Sequence, residues 1–119
     1  MSALAPRLRH RITFQELVSE RDSEGVLQED WQNVWLDSET ELANVPAEVL
    51  TGPGREFNAS GAVQAEVAAR ITCRWFPGLQ QSWRILWDGE EFGIGSVEVD
   101  RTARREYRMK CTAGPSAGQ

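Results

Sequence analysis

Few residues in this 119-residue chain are of types that support catalysis or metal binding. The single histidine, His10, has no serine or cysteine at a recognisable catalytic spacing, and the chain contains neither a GxSxG motif nor a glycine-rich phosphate loop. Glu90 and Glu91 are adjacent, so in a strand they point to opposite faces and cannot act as a carboxylate pair. The sequence therefore predicts no enzyme, no metal site and no cofactor.

The remaining reactive side chains are expected to be structural. His10 lies on the apolar side of a predicted strand, where a partly buried, hydrogen-bonded residue is the simpler interpretation, the alternative being a functional role. Cys73 and Cys111 alternate with apolar neighbours, which predicts two small buried hydrophobic residues. A cross-strand disulfide is the alternative, but no recognisable secretion signal supports it.

A strand centred on QAEVAARITCRWFPG, residues 64–78, must position these side chains. Apolar residues recur every second position from Val67 to Trp75, while charged and polar residues occupy the other phase, as in a strand with one buried face. Pro77 and Gly78 end the strand, because proline cannot donate a ladder hydrogen bond.

Shorter segments with the same alternation lie on both sides of this strand. The first two are a strand from about Leu8 to Leu17 and a strand over Leu27–Leu36 with a bulge between Trp31 and Trp35. The third is a short strand at Val45–Val49, which Pro46 places at an edge or at a strand start. A hairpin over 83–99 has Asp88-Gly89 as its turn and a bulge at Gly95-Ser96, and a last strand has Arg105, Tyr107, Met109 and Cys111 facing inward. The expected core comprises Ile12, Phe14, Trp31, Trp35, Val67, Ile71, Cys73, Trp75, Ile85, Trp87, Phe92, Ile94 and Tyr107.

Six or seven short strands separated by turn signals predict an all-β fold, a small antiparallel β-barrel with a long irregular loop and a short helical turn or two near 55–63. The length predicts a single domain over 1–119, with an ordered core at about 8–112, a flexible arm at 1–6 and a flexible tail at 112–119.

Charge is unevenly distributed along the chain. The net charge is −5, which opposes sequence-independent binding to phosphate backbones. Arginines cluster near both ends and acids fill the region from Glu16 to Glu48, an asymmetry that suits a protein partner. No run of about 18 apolar residues is present, so we expect no membrane partner.

Two pieces interrupt the strand pattern, DSETELAN at 37–44 and the segment at 50–63. Irregular segments of this length in a compact domain are often functional. Either is therefore a candidate for contacts with a partner.

Several segments together carry a resemblance to a known family. They are LRHRITFQ at 8–15, the turn from Asp22 to Gly25 followed by Trp31 and VW at 34–35, GREF at 54–57, QAEVAARITCRWFPG at 64–78 and RILWDGEEFGIGSV at 84–97. In order and spacing this set resembles the head-tail joining family of long-tailed bacteriophages, the small head-completion or stopper proteins, over roughly residues 8–112.

The resemblance implies a structural role in the virion neck, reached from the host cytoplasm. Such proteins form a ring with copies of themselves, between the portal or head adaptor protein and the tail completion or terminator protein, and close the channel after DNA packaging. The packaged DNA is then contacted only in the channel. By position, Gly54, Arg55, Glu56 and Phe57 belong to the loop that faces the channel or a neighbouring subunit. The segment 37–44 looks longer than its family counterpart, which leaves open which of the two pieces closes the channel.

Two other functions remain open. A small barrel that binds single-stranded nucleic acid would need Trp75, Trp83 and Trp87 as exposed stacking platforms. A tail-completion protein built on a similar barrel would differ in its partner rather than in its chemistry.

Overall fold

The computed structural model describes residues 4–51, 68–99 and 102–113. Within these ranges the chain forms one helical turn and nine strands. They are α1 (Leu4–Arg7), β1 (His10–Arg21), β2 (Leu27–Asn33), β3 (Trp35–Asp37), β4 (Thr40–Glu41), β5 (Val45–Thr51), β6 (Ala69–Arg74), β7 (Arg84–Trp87), β8 (Glu90–Val99) and β9 (Glu106–Ala113).

Six antiparallel strands close into a barrel in the order β1-β5-β6-β9-β8-β7. The barrel closes where β7 pairs with β1, with Phe14 opposite Ile85. Closure removes the free edges that an open sheet would expose. The predicted all-β small barrel is confirmed, with β2 as a seventh strand outside the closed ring.

Strand β1 is long and pairs with three other strands. Its first residues pair with β5, so that His10 lies opposite Ala47. Its second half continues past the barrel and pairs with β2 from Gln15–Asn33 to Arg21–Leu27. Gln15 has partners on both sides, Asn33 in β2 and Arg84 in β7, which places β2 and β7 on opposite edges of β1.

The barrel interior is filled by alternate residues of the six strands. Of the expected core, the residues that lie buried are Ile12, Phe14, Ile71, Cys73, Ile85, Phe92, Ile94 and Tyr107, and those that pack half-buried against it are Trp75 and Trp87. An aromatic cluster occupies the centre, where the Phe14 ring makes edge contacts with Phe76 and Trp83 at centroid distances of 5.4 and 5.9 Å. The Tyr107 hydroxyl donates a hydrogen bond to the Phe76 carbonyl and so is satisfied within the core.

Two expected core residues lie elsewhere. The placement of Trp35 in the core is wrong, because its side chain is 53% exposed. The β2 strand ends at Asn33 and the buried residue of this stretch is Val34, so Trp35 begins the β3–β4 ribbon on the outer side. Trp31 is half-buried outside the barrel interior, and Val67 lies outside the described residues.

The turn chemistry of the β7–β8 hairpin matches the prediction. Asp88 and Gly89 have φ values of 55° and 78°, as a two-residue turn with left-handed backbone requires. The register of β8 against β9 shifts between Ile94 and Ser96, which is the expected bulge. Pro46 is the second residue of β5, at the strand start.

Three further expectations need correction. The segment 37–44 is not irregular, because β3 and β4 pair in a small ribbon and Leu42 is buried in the core. Arg105 precedes β9 and is exposed rather than inward-facing. The predicted arm contains a helical turn at Leu4–Arg7, and residues 112 and 113 of the predicted tail belong to β9. The helical turn expected near 55–63 lies outside the described residues.

The two cysteines are fully buried free thiols. Burial raises the pKa of Cys73 and of Cys111 to about 12, because an apolar environment disfavours the thiolate. The predicted role as small hydrophobic residues agrees with this placement.

Truncation of Phe14 tests the centre of the barrel. Phe14→Ala should lower the free energy of unfolding by about 3–5 kcal/mol, because it leaves a cavity that Phe76 and Trp83 cannot fill. Trp35→Ala is the matched control and should change it by less than about 0.5 kcal/mol, because the Trp35 side chain is largely in solvent. Urea denaturation followed by circular dichroism measures both. Equal losses for the two variants would contradict the assigned core.

Thiol reactivity tests the burial of the cysteines. At a pH below 9, a shift in pKa from 9.0 to about 12 lowers the thiolate fraction about a thousandfold, so Ellman's reagent should react with the native chain only slowly. Unfolding in urea should release two fast-reacting thiols. Because the pKa values are raised in the folded chain, the contribution of the protonated thiols to the free energy of unfolding is fully present below pH 9. This contribution is lost as the pH rises towards 12. Ser82→Cys, at an exposed turn, should add one thiol that reacts rapidly without urea.

Candidate assembly surfaces

A β-hairpin arm, defined as residues 16–30, extends from the barrel. It consists of the second half of β1, the turn after Arg21 and the first residues of β2. Most of its residues are exposed, and no other strand among the described residues pairs with the outer edge of β2. The arm therefore presents side chains and unpaired strand edges to solvent.

A polar network fixes the root of the arm to the barrel. Arg84 donates from Nε to Gln15 Oε1 at 2.9 Å, and Gln15 Nε2 donates to Asn33 Oδ1 at 2.8 Å. The Arg84 guanidinium also lies 4.4 Å from the centre of the Trp31 ring and 3.2 Å from a Glu91 carboxylate oxygen. Because the Arg84 side chain is only 16% exposed, these contacts are partly shielded from water and orient the arm.

The tip of the arm is held by its own carboxylate. Asp22 Oδ1 accepts hydrogen bonds from the backbone N–H groups of Glu24 and Val26, both at 2.9 Å. These bonds hold the pKa of the Asp22 carboxyl below its usual value. Gly25 completes the turn with a φ of 83°, a conformation that residues with a side chain rarely adopt.

The arm combines negative charge with exposed apolar side chains. Its 15 residues include one arginine and six carboxylates, which are Glu16, Glu20, Asp22, Glu24, Glu29 and Asp30. Val26 and Leu27 at the tip are each 51% exposed, and Leu17 is 42% exposed. Val26 and Leu27 are adjacent in the chain, so the tip of the arm combines exposed apolar side chains with the carboxylates around it.

A basic face lies on the outer wall of the barrel, over β6 and β9 and the turn before β9. All of its residues are exposed, and they are Arg70, Arg74, Arg104, Arg105, Arg108 and Lys110. Arg70 is directly opposite Lys110 in the ladder, a placement in which like charges repel. Glu106 is the one carboxylate on these two strands, and it lies 3.5 Å from Arg108.

The arm and the basic face lie on opposite sides of the barrel. In the closed order β1-β5-β6-β9-β8-β7, β9 is three strands from β1 in either direction. Strand β1, which carries the arm, is thus diametrically opposite β9, which carries Arg108 and Lys110 and follows Arg104 and Arg105 in the chain. The segment that precedes β9 and the arm are at the same end of the barrel, because β1 runs towards this end and β9 runs away from it.

A shallow depression adjoins the basic face at this end. It is lined by Trp75, Pro77, Gly78, Val99 and Arg104. The Arg104 guanidinium lies 5.5 Å from the centre of the Trp75 ring. The depression therefore has an apolar floor with a cation beside it.

The described residues that flank the candidate channel loop lie at the other end of the barrel. Thr51 and Ala69, which flank it in the chain, are ladder partners at the end that also holds the Asp88-Gly89 turn. Gly54, Arg55, Glu56 and Phe57 themselves lie outside the described residues. The ordered ribbon at 37–44 begins and ends at the arm end, next to β5.

The tryptophans do not form a row of stacking platforms. Trp83 is 6% exposed in the core, and Trp87 packs its ring edge to face with His10 at 5.4 Å. Trp75 packs against Tyr107. His10 is half-buried, and its Nδ1 accepts a hydrogen bond from the backbone N–H of Val49 at 3.4 Å, which is the structural role expected for it.

The described ranges contain no group of three or more histidine, cysteine, aspartate or glutamate side chains able to hold a metal ion. Among the described helices, none is long and apolar enough to cross a membrane.

The arm and the position of the basic face were not predicted from the sequence. The alternation in β1 weakens after Leu17, and the predicted strand stopped there, although the acidic residues that follow continue in register to Arg21. The arginine cluster near the end of the chain was visible as a charge run, but its position opposite the arm follows only from the strand order.

Comparison with known proteins identifies the family. A family model described as phage head completion protein matches residues 3–114. The solution structure of protein SF1141 from Shigella flexneri 2a is similar at 30% sequence identity and a TM-score of 0.67, and the match covers 92% of this chain and 95% of that one. A search of curated proteins gives no match. With the closed barrel in common and nearly the whole chain matched, this protein belongs to the phage head completion protein family.

Proposed function

We propose that this head completion protein forms a ring in the virion neck, joins the DNA-filled head to the tail and closes the DNA channel after packaging. The observation that carries the proposal is the family match over residues 3–114, which gives a structural role in completing the phage head. The surfaces support it, because the described part of the chain offers charged faces on two sides of its barrel that could contact other proteins.

The partners follow from this position. The ring contacts the portal or head adaptor protein on one side and the tail completion or terminator protein on the other, and copies of the chain contact one another within the ring. Packaged DNA is met only in the channel. A chain with a net charge of −5 does not grip phosphates strongly, so the duplex can leave during infection.

We assign channel closure to the segment 50–63, with Gly54, Arg55, Glu56 and Phe57 at the channel or at a neighbouring subunit. The other candidate segment, 37–44, is folded back on the barrel as the β3–β4 ribbon, and Leu42 anchors it in the core. A segment anchored in this way is less suited to enter a channel, so we assign this role to the segment that connects β5 to β6 in the chain.

Deletion of the gene from its phage or induced prophage tests the neck role. We expect tailless heads that have lost their DNA, together with free complete tails, because the open head is neither sealed nor able to bind a tail. Electron microscopy of the lysate and nuclease protection of packaged DNA measure the two effects. Normal virions would refute the neck role, and full heads beside tails of abnormal length would favour a tail-completion protein.

Complementation of this deletion tests the channel loop. A plasmid copy carrying Arg55→Ala, Glu56→Ala and Phe57→Ala should restore few DNA-filled heads, and wild-type plasmid should restore them fully. The matched control carries Ser38→Ala and Glu39→Ala, which alter exposed side chains of the β3–β4 turn, and it should behave as wild type. If the control fails and the loop variant succeeds, channel closure belongs to 37–44 instead.

A further inference from the structure

We propose that copies of the chain associate head to tail, with the arm of one copy docked on the basic face of the next. The proposal rests on the proposed ring and identifies the contact between its subunits. It commits to a second copy of this chain as the occupant of the basic face.

Charge complementarity is the first argument. The arm carries six carboxylates and one arginine, and the basic face carries six cations with Glu106 among them and Glu98 of β8 opposite Arg108. The ladder places Arg70 opposite Lys110, so two cations of the face lie side by side. Surfaces of opposite sign orient two proteins during encounter and disfavour wrong pairings.

The positions of the two surfaces give the symmetry. Because β1 and β9 are on opposite sides of the barrel, two copies that make one arm-to-face contact hold their remaining arm and remaining basic face on opposite sides of the pair. Such a contact is heterologous, and heterologous contacts generate rings when the rotation between subunits closes. A two-fold dimer would have to make the same contact twice between two copies, which this placement disfavours.

Charge also disfavours the simplest competing contact, the pairing of two arms along their free strand edges. The outer edge of β2 contains Glu29 and Asp30, and β1 contributes Glu16 and Glu20. Two arms side by side would bring these carboxylates together, and charged residues on an edge strand are a common protection against such pairing. The negative charge of the arm therefore disfavours contact with a second arm and favours contact with the basic face.

The apolar residues of the two surfaces also correspond. The arm tip exposes Val26 and Leu27 beside Asp22 and Glu24. The depression next to the basic face has Trp75, Pro77 and Val99 on its floor and Arg104 beside them. An arm tip in this depression would bury apolar surface from both copies and place its carboxylates near cations, which is the pattern of a contact centre with a charged rim.

Lys110 allows a direct test, because it is the only lysine of the chain and lies in the basic face. A carbodiimide joins an amine to a carboxylate that touches it and takes up the released water as a urea. Concentrated protein, mixed from isotope-labelled and unlabelled chain, should give a ladder of covalent oligomers beyond the dimer. Mass spectrometry should find mixed-isotope peptides that join Lys110 to carboxylates of residues 16–30.

Charge reversal makes the test specific. An arm variant, Glu20→Arg with Glu24→Arg, and a face variant, Arg105→Glu with Arg108→Glu, which keeps the Lys110 amine, should each give at least about tenfold less ladder alone, since each sets like charges against each other. Their mixture should recover the link, from Lys110 of the arm variant to the arm of the face variant. The control, Glu39→Arg with Glu90→Arg, changes exposed acids away from both surfaces and should match wild type.

Three results would overturn the proposal. These are the absence of intermolecular links, links from Lys110 only to carboxylates outside 16–30, and loss of the link on addition of a duplex oligonucleotide that itself binds the chain. The last result would assign the basic face to DNA. If gene deletion still gives tailless, leaking heads, the neck role stands and only this contact is wrong.

Discussion

The pairing of β7 with β1 is the constraint on which the rest of the structure depends. It closes six strands into a barrel, and only Thr13–Gln15 take part in it. Because β1 is 12 residues long, its second half must leave the barrel, and it does so paired with β2. Closure therefore produces both the sealed core and the projecting arm. The Arg84 network lies where these two parts of β1 meet, which explains why a charged side chain is packed at this point.

Closure also decides how charge is distributed over the surface. In a six-stranded ring every strand has one opposite strand, so the cations of β9 lie across the full width of the barrel from β1, which carries the arm, and those of β6 lie on the strand next to β9. The net charge of −5 conceals this separation, since it averages two surfaces of opposite sign. Complementary surfaces on different sides of one subunit are what a head-to-tail ring of identical copies, such as the one proposed here, would use.

The side chains of the barrel interior are packed and chemically unreactive. The aromatic cluster around Phe14 and the two neutral thiols fill the core, and the described residues form no metal-binding group. The raised pKa of Cys73 and of Cys111 keeps these side chains unreactive while the chain is folded. Interaction chemistry is thereby confined to the outside, where the arm, the basic face and the depression near Trp75 are found.

The sequence by itself determined those features that depend on neighbours along the chain. Alternation predicted the buried faces of β6, β7 and β9, and the Asp88-Gly89 turn and the Gly95-Ser96 bulge followed from backbone preferences of one or two residues. Trp35 was misplaced because an apolar side chain near a strand interruption can face either way, and only the pairing of β3 with β4 decides its direction. The length of β1, the arm and its position opposite the basic face were decided by tertiary structure, because each depends on which distant strand pairs with which. Local sequence does not encode that choice directly, since it results from the closure of the whole barrel.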